Sequence, residues 1–247
     1  MKNIVSFSGG KDSTAMLLMM IEKEIPVDEI IFCDTGKEFN GIYNNINKVE
    51  KFTKMSITRI KADFSFDQYL TNQTNEKSNG WPRFSNNRWC SSRLKKSPFN
   101  KYIKNKYGKV NRYIGIASDE IKRCKTNANY HYPLADWGIT EADALQYCYS
   151  KGFDFDGLYT MFNRVSCWCC PMSSLAELEN LYIHFPKLWK ELKEMDGRSY
   201  NSFRNDYTLD ELELRFKIGN EFLQQYEIPD NPKLRKAIIR DLKEDLI

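Results

Sequence analysis

Two glycines and a lysine lie near the N-terminus, in the segment whose residue types most clearly indicate a functional site. This segment is Ser8-Gly9-Gly10-Lys11-Asp12-Ser13. Paired glycines let the backbone approach a ligand closely and point several N–H groups at one spot. The start of a helix adds a partial positive charge, and Lys11 adds a full one. The hydroxyls of Ser8 and Ser13 can donate to phosphate oxygens. This segment is therefore predicted to bind phosphate, although it is not the Walker A pattern.

The cysteines are the second set of candidates. Cys167 and Cys170 have the spacing of a metal-ligand pair, and Cys90 lies among arginines, which lower a thiol pKa and favour the metal-binding thiolate. Four thiolates can hold a [4Fe–4S] cluster or a structural zinc, and thiols without a metal are the third alternative. The predicted ligands are Cys90, Cys124, Cys167 and Cys170. Cys169 is the alternative to Cys124 as the fourth.

Apolar patterning predicts the elements that position these side chains. Four strands and two helices are expected, at residues 4–7, 29–33, 56–60 and 113–116, and at 12–24 and 39–54. Strands that alternate with helices indicate a parallel α/β sheet flanked by helices. Ligands bind at the carboxyl ends of the strands in such a sheet, and the glycine loop follows the first strand directly.

The last third of the chain is predicted to be helical. Three capping-box patterns open apolar-periodic runs, at Thr140–Asp143, Ser174–Glu177 and Thr208–Glu211. We expect a nucleotide-binding α/β domain at residues 1–165 and a cysteine turn with a helical C-terminal region at residues 166–247. The polar residues 71–80 are expected to form a surface loop that could act as a lid.

The glycine loop resembles the SGGxDS signature of the PP-loop ATP pyrophosphatases. Within that group the chain resembles the phosphoadenosine phosphosulfate reductase family over residues 3–175. The segments that match in order are Asp34-Thr35-Gly36, Arg88-Trp89-Cys90 with Lys95, Gly115 to Arg123, Tyr132 to Trp137, and Cys167 to Pro171. The resemblance implies an adenine nucleotide alpha-hydrolase-like, Rossmann-like fold with a helical C-terminal extension.

The resemblance also implies a ligand set: ATP or a related adenine nucleotide, Mg²⁺, and a [4Fe–4S] cluster in preference to zinc. The implied nucleotide-binding residues are Ser8, Gly9, Gly10, Lys11, Asp12, Ser13, Asp34, Thr35, Gly36, Gly115 and Glu120. The implied catalytic residues are Lys11, Asp12, Lys95 and Arg123. Surface ion pairing is the alternative role for the charged residues between Gly115 and Arg123.

Three functions are compatible with this resemblance. The first is cleavage of ATP to AMP and pyrophosphate to adenylate a substrate, ahead of sulfur insertion. The second is reduction of a sulfonucleotide, for which relatives use a mobile C-terminal cysteine in a Glu-Cys-Gly-Leu-His segment. This chain has no cysteine after Cys170, so a reductase would have to use one of the clustered thiols. The third is a nucleotide-sensing module without turnover.

Composition narrows the setting and the partners. The net charge of +4 is too small to indicate nucleic-acid binding by itself. Residues 93–112, however, contain eight basic residues and no acid, and Ser97 and Pro98 are expected to begin a helix there as N-cap and N1. A solvated helix face is one interpretation, and a nucleic acid as second substrate is the other. We expect a cytoplasmic protein with no membrane span. We also expect that the protein forms homo-oligomers.

Overall fold

The computed structural model describes residues 1–71, 80–83 and 88–218. Most of the predicted lid loop, at residues 72–79, and the end of the predicted helical C-terminal region, at residues 219–247, lie outside these ranges. No helix in the described ranges is long and apolar enough to cross a membrane.

One parallel sheet forms the centre of the fold. Its strands are β1 Lys2–Phe7, β2 Glu29–Asp34, β3 Ile57–Lys61, β4 Val110–Ile114 and β5 Tyr130–His131. Their order is β3-β2-β1-β4-β5, and every neighbouring pair is parallel. Parallel neighbours require crossover connections, which the intervening helices supply. The predicted parallel α/β fold is confirmed.

Helices cover both faces of this sheet. The longer ones are α1 Lys11–Glu22, α2 Asn40–Thr53, α5 Ser97–Lys106, α7 Glu141–Ser150, α9 Leu175–His184, α10 Pro186–Arg198 and α11 Leu209–Lys217. The short ones are α3 Phe66–Leu70, α4 Trp89–Ser91, α6 Pro133–Asp136 and α8 Leu158–Met161. The helix ends predicted for α1 and α2 are correct to within two residues.

Two apolar clusters lie on opposite faces of the sheet, because successive side chains of a strand point to opposite sides. Val5 and Phe7 belong to the larger cluster, which continues through α1, α2 and α7 into α9 to α11. Ile4 belongs to the smaller one, under α5, together with Ile31, Phe99, Ile103 and Val110. The division of the chain at residue 165 stays a prediction.

Two local predictions are wrong. Ser97 is the first residue of α5 and does not cap it, because the chain is already helical from Trp89 and a wider turn at Ser92–Lys96 leads directly into α5. Pro98 cannot donate to the carbonyl four residues back, and that carbonyl lies inside this wider turn. The fourth strand runs three residues earlier than expected, and Gly115 and Ile116 lie beyond its end.

The three predicted capping boxes are confirmed. Thr140, Ser174 and Thr208 each accept a hydrogen bond from the backbone N–H three residues on, and the acidic side chain at that position bonds back to the cap. A fourth box, between Ser65 and Gln68, was not predicted. These caps fix where the helices behind the site begin.

Candidate functional site

The glycine loop connects the carboxyl end of β1 to the N-terminus of α1. Gly9 has φ of +80°, and a Cβ there would lie 2.7 Å from Cγ2 of Ile42. A Cβ on Gly10 would lie 2.9 Å from the Tyr159 hydroxyl oxygen. Only glycine accepts both the positive φ and the close contact with Ile42 at position 9, so the loop backbone packs directly against α2 and Tyr159.

The Ser13 hydroxyl ties this loop together. It accepts from the Ser8 N–H at 3.1 Å and lies 3.0 Å from the Ser8 hydroxyl oxygen. It also lies 3.1 Å from the Gly10 carbonyl oxygen, to which it can donate. A hydroxyl has one hydrogen, so Ser13 acts inside the loop. This differs from the expectation that both serine hydroxyls face a phosphate.

Lys11 is buried at the start of α1 and lies between two carboxylates. Its Nζ is 2.9 Å from Asp12 Oδ1 and 2.7 Å from Glu141 Oε1. Burial alone would lower the Lys11 pKa, but the charges and hydrogen bonds of Asp12 and Glu141 outweigh it, so the pKa is raised. Lys11 is therefore a permanent cation at neutral pH, with its side chain only 7% exposed.

Acidic groups surround this lysine. Burial raises the pKa of Asp12; Lys11 opposes that shift, and Glu141 and Glu120 add to it. Glu120 is ion-paired with Arg123. The Glu120 hydrogen bond raises the Arg123 pKa, burial opposes the shift, and Asp12 and Glu141 contribute to it. The predicted residues Lys11, Asp12, Glu120 and Arg123 thus lie in one charged cluster at the loop.

Gly115 contacts the loop from the neighbouring strand. A Cβ at this position would lie 2.9 Å from the Ser13 nitrogen and 3.0 Å from the Asp12 carbonyl carbon. Gly115 follows β4, which pairs with β1 up to Ile114. Its lack of a side chain lets the end of β4 pack against the loop backbone. The structure therefore gives Gly115 a place beside the loop, in contact with protein atoms.

The end of β2 presents the second group of predicted residues. Asp34 Oδ1 accepts from the Tyr43 hydroxyl at 2.7 Å and from the Gly36 N–H at 2.9 Å. Its Oδ2 lies 3.6 Å from Nζ of Lys61, at the end of β3. Gly36 has φ of +74°, which explains the glycine after Asp34-Thr35.

Thr35 belongs to a different cluster, together with a lysine, a glutamate and a cysteine. Glu38 Oε1 accepts from Thr35 Oγ1 at 3.2 Å and from Lys95 Nζ at 3.1 Å. Cys167 Sγ lies 3.6 Å from the same oxygen and 3.5 Å from Thr35 Oγ1. Burial opposes the charge on Lys95, but Glu38 and then Cys167 raise its pKa. Lys95 therefore lies with the cysteines, and its described contacts are with Glu38.

Three of the four predicted metal ligands, Cys90, Cys167 and Cys170, are close enough to influence one another electrostatically. Burial raises the Cys90 pKa, Cys170 adds to the shift, and Arg88 and Lys95 oppose it more weakly. Burial also raises the Cys167 pKa, Glu38 adds to it, and Cys170 contributes. The expectation that arginines make Cys90 a thiolate is wrong, because desolvation outweighs them.

Cys124 has other neighbours. Burial raises its pKa, as does Asp136, while Arg123 opposes the shift. Across the described ranges, no group of three or more His, Cys, Asp or Glu side chains is arranged to hold a metal ion. The predicted ligands as placed do not fit a [4Fe–4S] cluster, which needs four converging thiolates, and we assign it no chemical step.

One further cysteine supports the loop from behind. Cys148, on α7, is fully buried and lies 3.4 Å from the Lys11 carbonyl oxygen. Burial, with a further contribution from Asp12, raises its pKa to about 12. Cys148 is therefore a core residue that packs against the start of α1.

Comparison with known proteins identifies the family. The family model described as phosphoadenosine phosphosulfate reductase domain matches residues 2–173. The chain belongs to this family. Membership indicates nucleotide chemistry of the sulfonucleotide or PP-loop kind, and the family is enzymatic. The boundaries agree with the resemblance found in the sequence motifs.

Relatives of this chain occur in an archaeon and in a bacteriophage. An uncharacterized protein of Methanocaldococcus jannaschii is 27% identical over 208 residues, which cover 76% of this chain and 40% of that protein. An uncharacterized nin region protein of Escherichia phage lambda is 28% identical over 191 residues, 68% of this chain and 66% of the relative. The chain thus spans about two fifths of the archaeal relative's length.

Among solved structures, the chain is similar to a phosphoadenylyl-sulfate reductase from Candida auris in complex with phosphate. The two share 17% identity, the match covers 68% of this chain and 82% of the other, and the TM-score is 0.49.

Three residues near the predicted sites escaped sequence reasoning. The Tyr159 hydroxyl accepts the Lys11 N–H at 2.8 Å. Glu141 holds the Lys11 side chain, and Glu38 joins Lys95 to Cys167. Glu141 directly follows the predicted cap Thr140, so the sequence identifies it as the first residue of a helix. Nothing in that pattern predicts its contact with Lys11. No motif marks Tyr159 or Glu38.

Proposed function

We propose that this chain binds ATP, or a closely related adenine nucleotide, and cleaves it to AMP and pyrophosphate to adenylate an oxygen of a second substrate, ahead of sulfur insertion. The observation that supports this proposal most is the buried Lys11 cation directly behind a loop without side chains at Gly9 and Gly10. A preorganised cation and backbone amides are what stabilise a departing pyrophosphate.

Each residue of the charged cluster has a role in this proposal. Lys11 and the loop amides neutralise the charge that develops on pyrophosphate. When the nucleotide binds, the backbone N–H of Lys11 donates to a phosphate oxygen in place of the Tyr159 hydroxyl. The oxygens of Asp12 and Glu120 are the donors that Mg²⁺ prefers, and the ion supplies further charge neutralisation when it arrives with the nucleotide. Positioning by the site, rather than a protein nucleophile, accounts for the rate.

A sulfonucleotide reductase is the second candidate, because Cys167 lies 3.6 Å from Glu38, next to Lys95. Its thiolate would attack the sulfonate sulfur, break the sulfur–oxygen bond and release the nucleotide. A second thiol would then displace sulfite and leave a disulfide, which an added dithiol reduces. The raised pKa of Cys167, due first to burial, weighs against this candidate because the thiolate is the nucleophile.

One pair of assays separates the candidates. Purified protein is incubated with Mg²⁺ and ATP, with water as the default acceptor, and AMP and pyrophosphate are measured by chromatography. A parallel reaction contains phosphoadenylyl sulfate and dithiothreitol, and sulfite is measured. We expect AMP and pyrophosphate, lost in Lys11→Met, and no sulfite above a Cys167→Ser control. If the wild type forms sulfite and the Cys167→Ser variant does not, the protein is a reductase and the ATP-cleavage proposal is wrong. Tight ATP binding without products would indicate a sensor.

The predicted iron–sulfur cluster has its own test. Iron and acid-labile sulfide are measured on protein purified without oxygen, with Cys167→Ser as the control. Cys169, the alternative fourth ligand, lies near Cys167 and Cys170. Since no group of side chains in the described residues is arranged to hold a metal ion, we expect fewer than one iron per chain. About four irons and four sulfides, lost in the variant, would contradict the placement of Cys124 and of the cysteine turn.

A further inference from the structure

A groove with a volume of about 610 Å³ lies apart from the glycine loop, between the carboxyl end of β3 and helix α5. Its charged lining consists of four cations and one carboxylate: Lys61, Arg93, Lys101, Lys106 and Asp63. The cations come from both walls, since Lys61 ends β3 and Lys101 and Lys106 belong to α5. The groove therefore carries a net positive charge along its length.

Helix α5 presents a continuous polar stripe to this groove. Ser97, Lys101 and Asn105 are four residues apart, so they lie above one another on one helix face. At a rise of about 1.5 Å per residue, the stretch from Ser97 to Lys106 is about 14 Å long. Because β3 is an edge strand of the sheet, no further described strand closes the groove on that side.

Two of the three groove lysines, Lys61 and Lys101, are held loosely compared with the lysine of the glycine loop. The third, Lys106, is paired with the buried carboxylate of Glu29 at 3.0 Å. Lys101 pairs with Asp63 at 3.1 Å, and both side chains are exposed, at 64% and 77%. Lys61 is 74% exposed, and its nearest carboxylate oxygen, on Asp34, is 3.6 Å away. Exposed pairs of this kind contribute little to stability, so a phosphate can replace the carboxylate partner at small cost. Lys11, by contrast, is buried between its two partners.

We propose that this groove binds the phosphodiester backbone of a single-stranded nucleic acid. A concave, basic channel accommodates one strand, whereas a duplex is read by an element that projects into its grooves. The sequence extends the charge beyond the groove, since residues 93–112 contain eight basic residues and no acid. The contact of Lys61 with Asp34 places one end of the groove beside the candidate nucleotide site. Binding itself does not depend on the proposed adenylation.

The test measures the affinity for labelled oligo-dT and oligo-rU, each of 20 nucleotides, by fluorescence anisotropy at several salt concentrations. The groove variant is Lys61→Gln with Lys101→Gln. The matched control, Lys48→Gln with Lys190→Gln, removes the same charge from exposed lysines elsewhere, on α2 and α10. We expect the groove variant to bind about tenfold more weakly and to lose about 1.4 from the slope of log affinity against log salt, at about 0.7 per contact. The control should bind as the wild type does.

Three results would overturn the proposal: equal affinity of the groove and control variants, tighter binding of a duplex of the same length, or equal competition by polyglutamate. Thermal unfolding and ATP binding of each variant show that the fold and the glycine loop are intact. Loss of oligonucleotide binding with ATP binding retained supports the groove whether or not the ATP-cleavage proposal holds. DNA and RNA are distinguished by the two oligonucleotides, and preference for either supports the proposal.

Discussion

The glycine loop and the cysteine cluster lie at the ends of neighbouring strands, β1 and β2, but they are built in opposite ways. The loop is made by six consecutive residues, and its lysine is held charged by Asp12 and Glu141. The cysteine cluster combines Thr35 and Glu38 with Lys95 and Cys167 from two distant segments. Burial there raises the pKa of the Cys90 and Cys167 thiols, so they stay protonated at neutral pH.

Burial opposes charge in both regions, and the outcome depends on whether charged partners outweigh it. Lys11 keeps its charge because two carboxylates contact it directly. Cys167 has one cation nearby, Lys95, and Lys95 is already paired with Glu38. Lys11 is therefore charged in the free protein, but a bound pyrophosphate has to compete with Asp12 and Glu141 for it. The thiols need a change in their surroundings before they can act as nucleophiles or metal ligands.

The largest effect is expected when the loop loses its cation. Lys11→Met keeps the length of the side chain and removes the charge that would face pyrophosphate. We expect ATP cleavage to fall by about 10²–10³-fold, the loss typical of one missing electrostatic contact in an active site. The exposed Lys48→Met serves as the control and should retain activity. Equal rates for the two variants would mean that the loop does not support the reaction.

The next effect concerns the backbone of the loop. Gly9 and Gly108 both have φ near +80°, but only Gly9 has neighbours at its Cβ position, with Ile42 at 2.7 Å; Gly108 has nothing within 4 Å. Both alanine variants incur the cost of positive φ, about 1–3 kcal/mol. Gly9→Ala should lose further stability, by the cost of the Ile42 contact, and should lose nucleotide affinity. Urea unfolding measures the loss of stability, and calorimetry measures the loss of nucleotide affinity. Equal losses in the Gly9→Ala and Gly108→Ala variants would show that Ile42 does not crowd position 9.

A smaller effect should distinguish the thiols by pH. The folded-state pKa of Cys167 is raised, so its thiolate fraction at pH 7 to 8 lies below that of an unfolded thiol and grows as pH increases. We expect iodoacetamide to modify Cys90 and Cys167 more slowly in the native protein than in urea, with the gap narrowing at higher pH. Mass spectrometry at several pH values measures the rates. Fast modification at neutral pH would show an activated thiol and favour the reductase.

The smallest effect is expected from Tyr159→Phe. This change removes the hydroxyl that accepts the Lys11 N–H and leaves the ring in place. Stability should fall by about 1 kcal/mol, the net contribution of one hydrogen bond. Pyrophosphate affinity, measured by calorimetry, should rise a few-fold because the amide no longer has an internal partner to release. A large loss of affinity would instead show that the Tyr159 hydroxyl contacts the ligand.

Sequence patterns were enough to predict the parallel sheet, the glycine loop, the family and the capping boxes. Each of these depends on residues close together in the chain: apolar runs for strands, Gly9 and Gly10 for the turn, and a hydroxyl three residues before an acid for each cap. Such signals are local, because helices and turns are formed by hydrogen bonds between near neighbours. The family resemblance predicts that Asp34-Thr35-Gly36 and Gly115 belong to the nucleotide site. Gly115 packs against the loop, whereas Thr35 lies with Glu38 and Cys167.

The contacts between charged groups could not be predicted in this way, because they depend on the packing of distant segments. Glu141 and Tyr159 reach Lys11 from 130 and 148 residues away, and Glu38 joins Lys95 to Cys167 across 57 and 129 residues. No spacing rule encodes such contacts, since they depend on how helices pack against the sheet. Desolvation is likewise a property of the folded surroundings. It reversed the expected pKa shift of Cys90, although the arginines beside it are visible in the sequence.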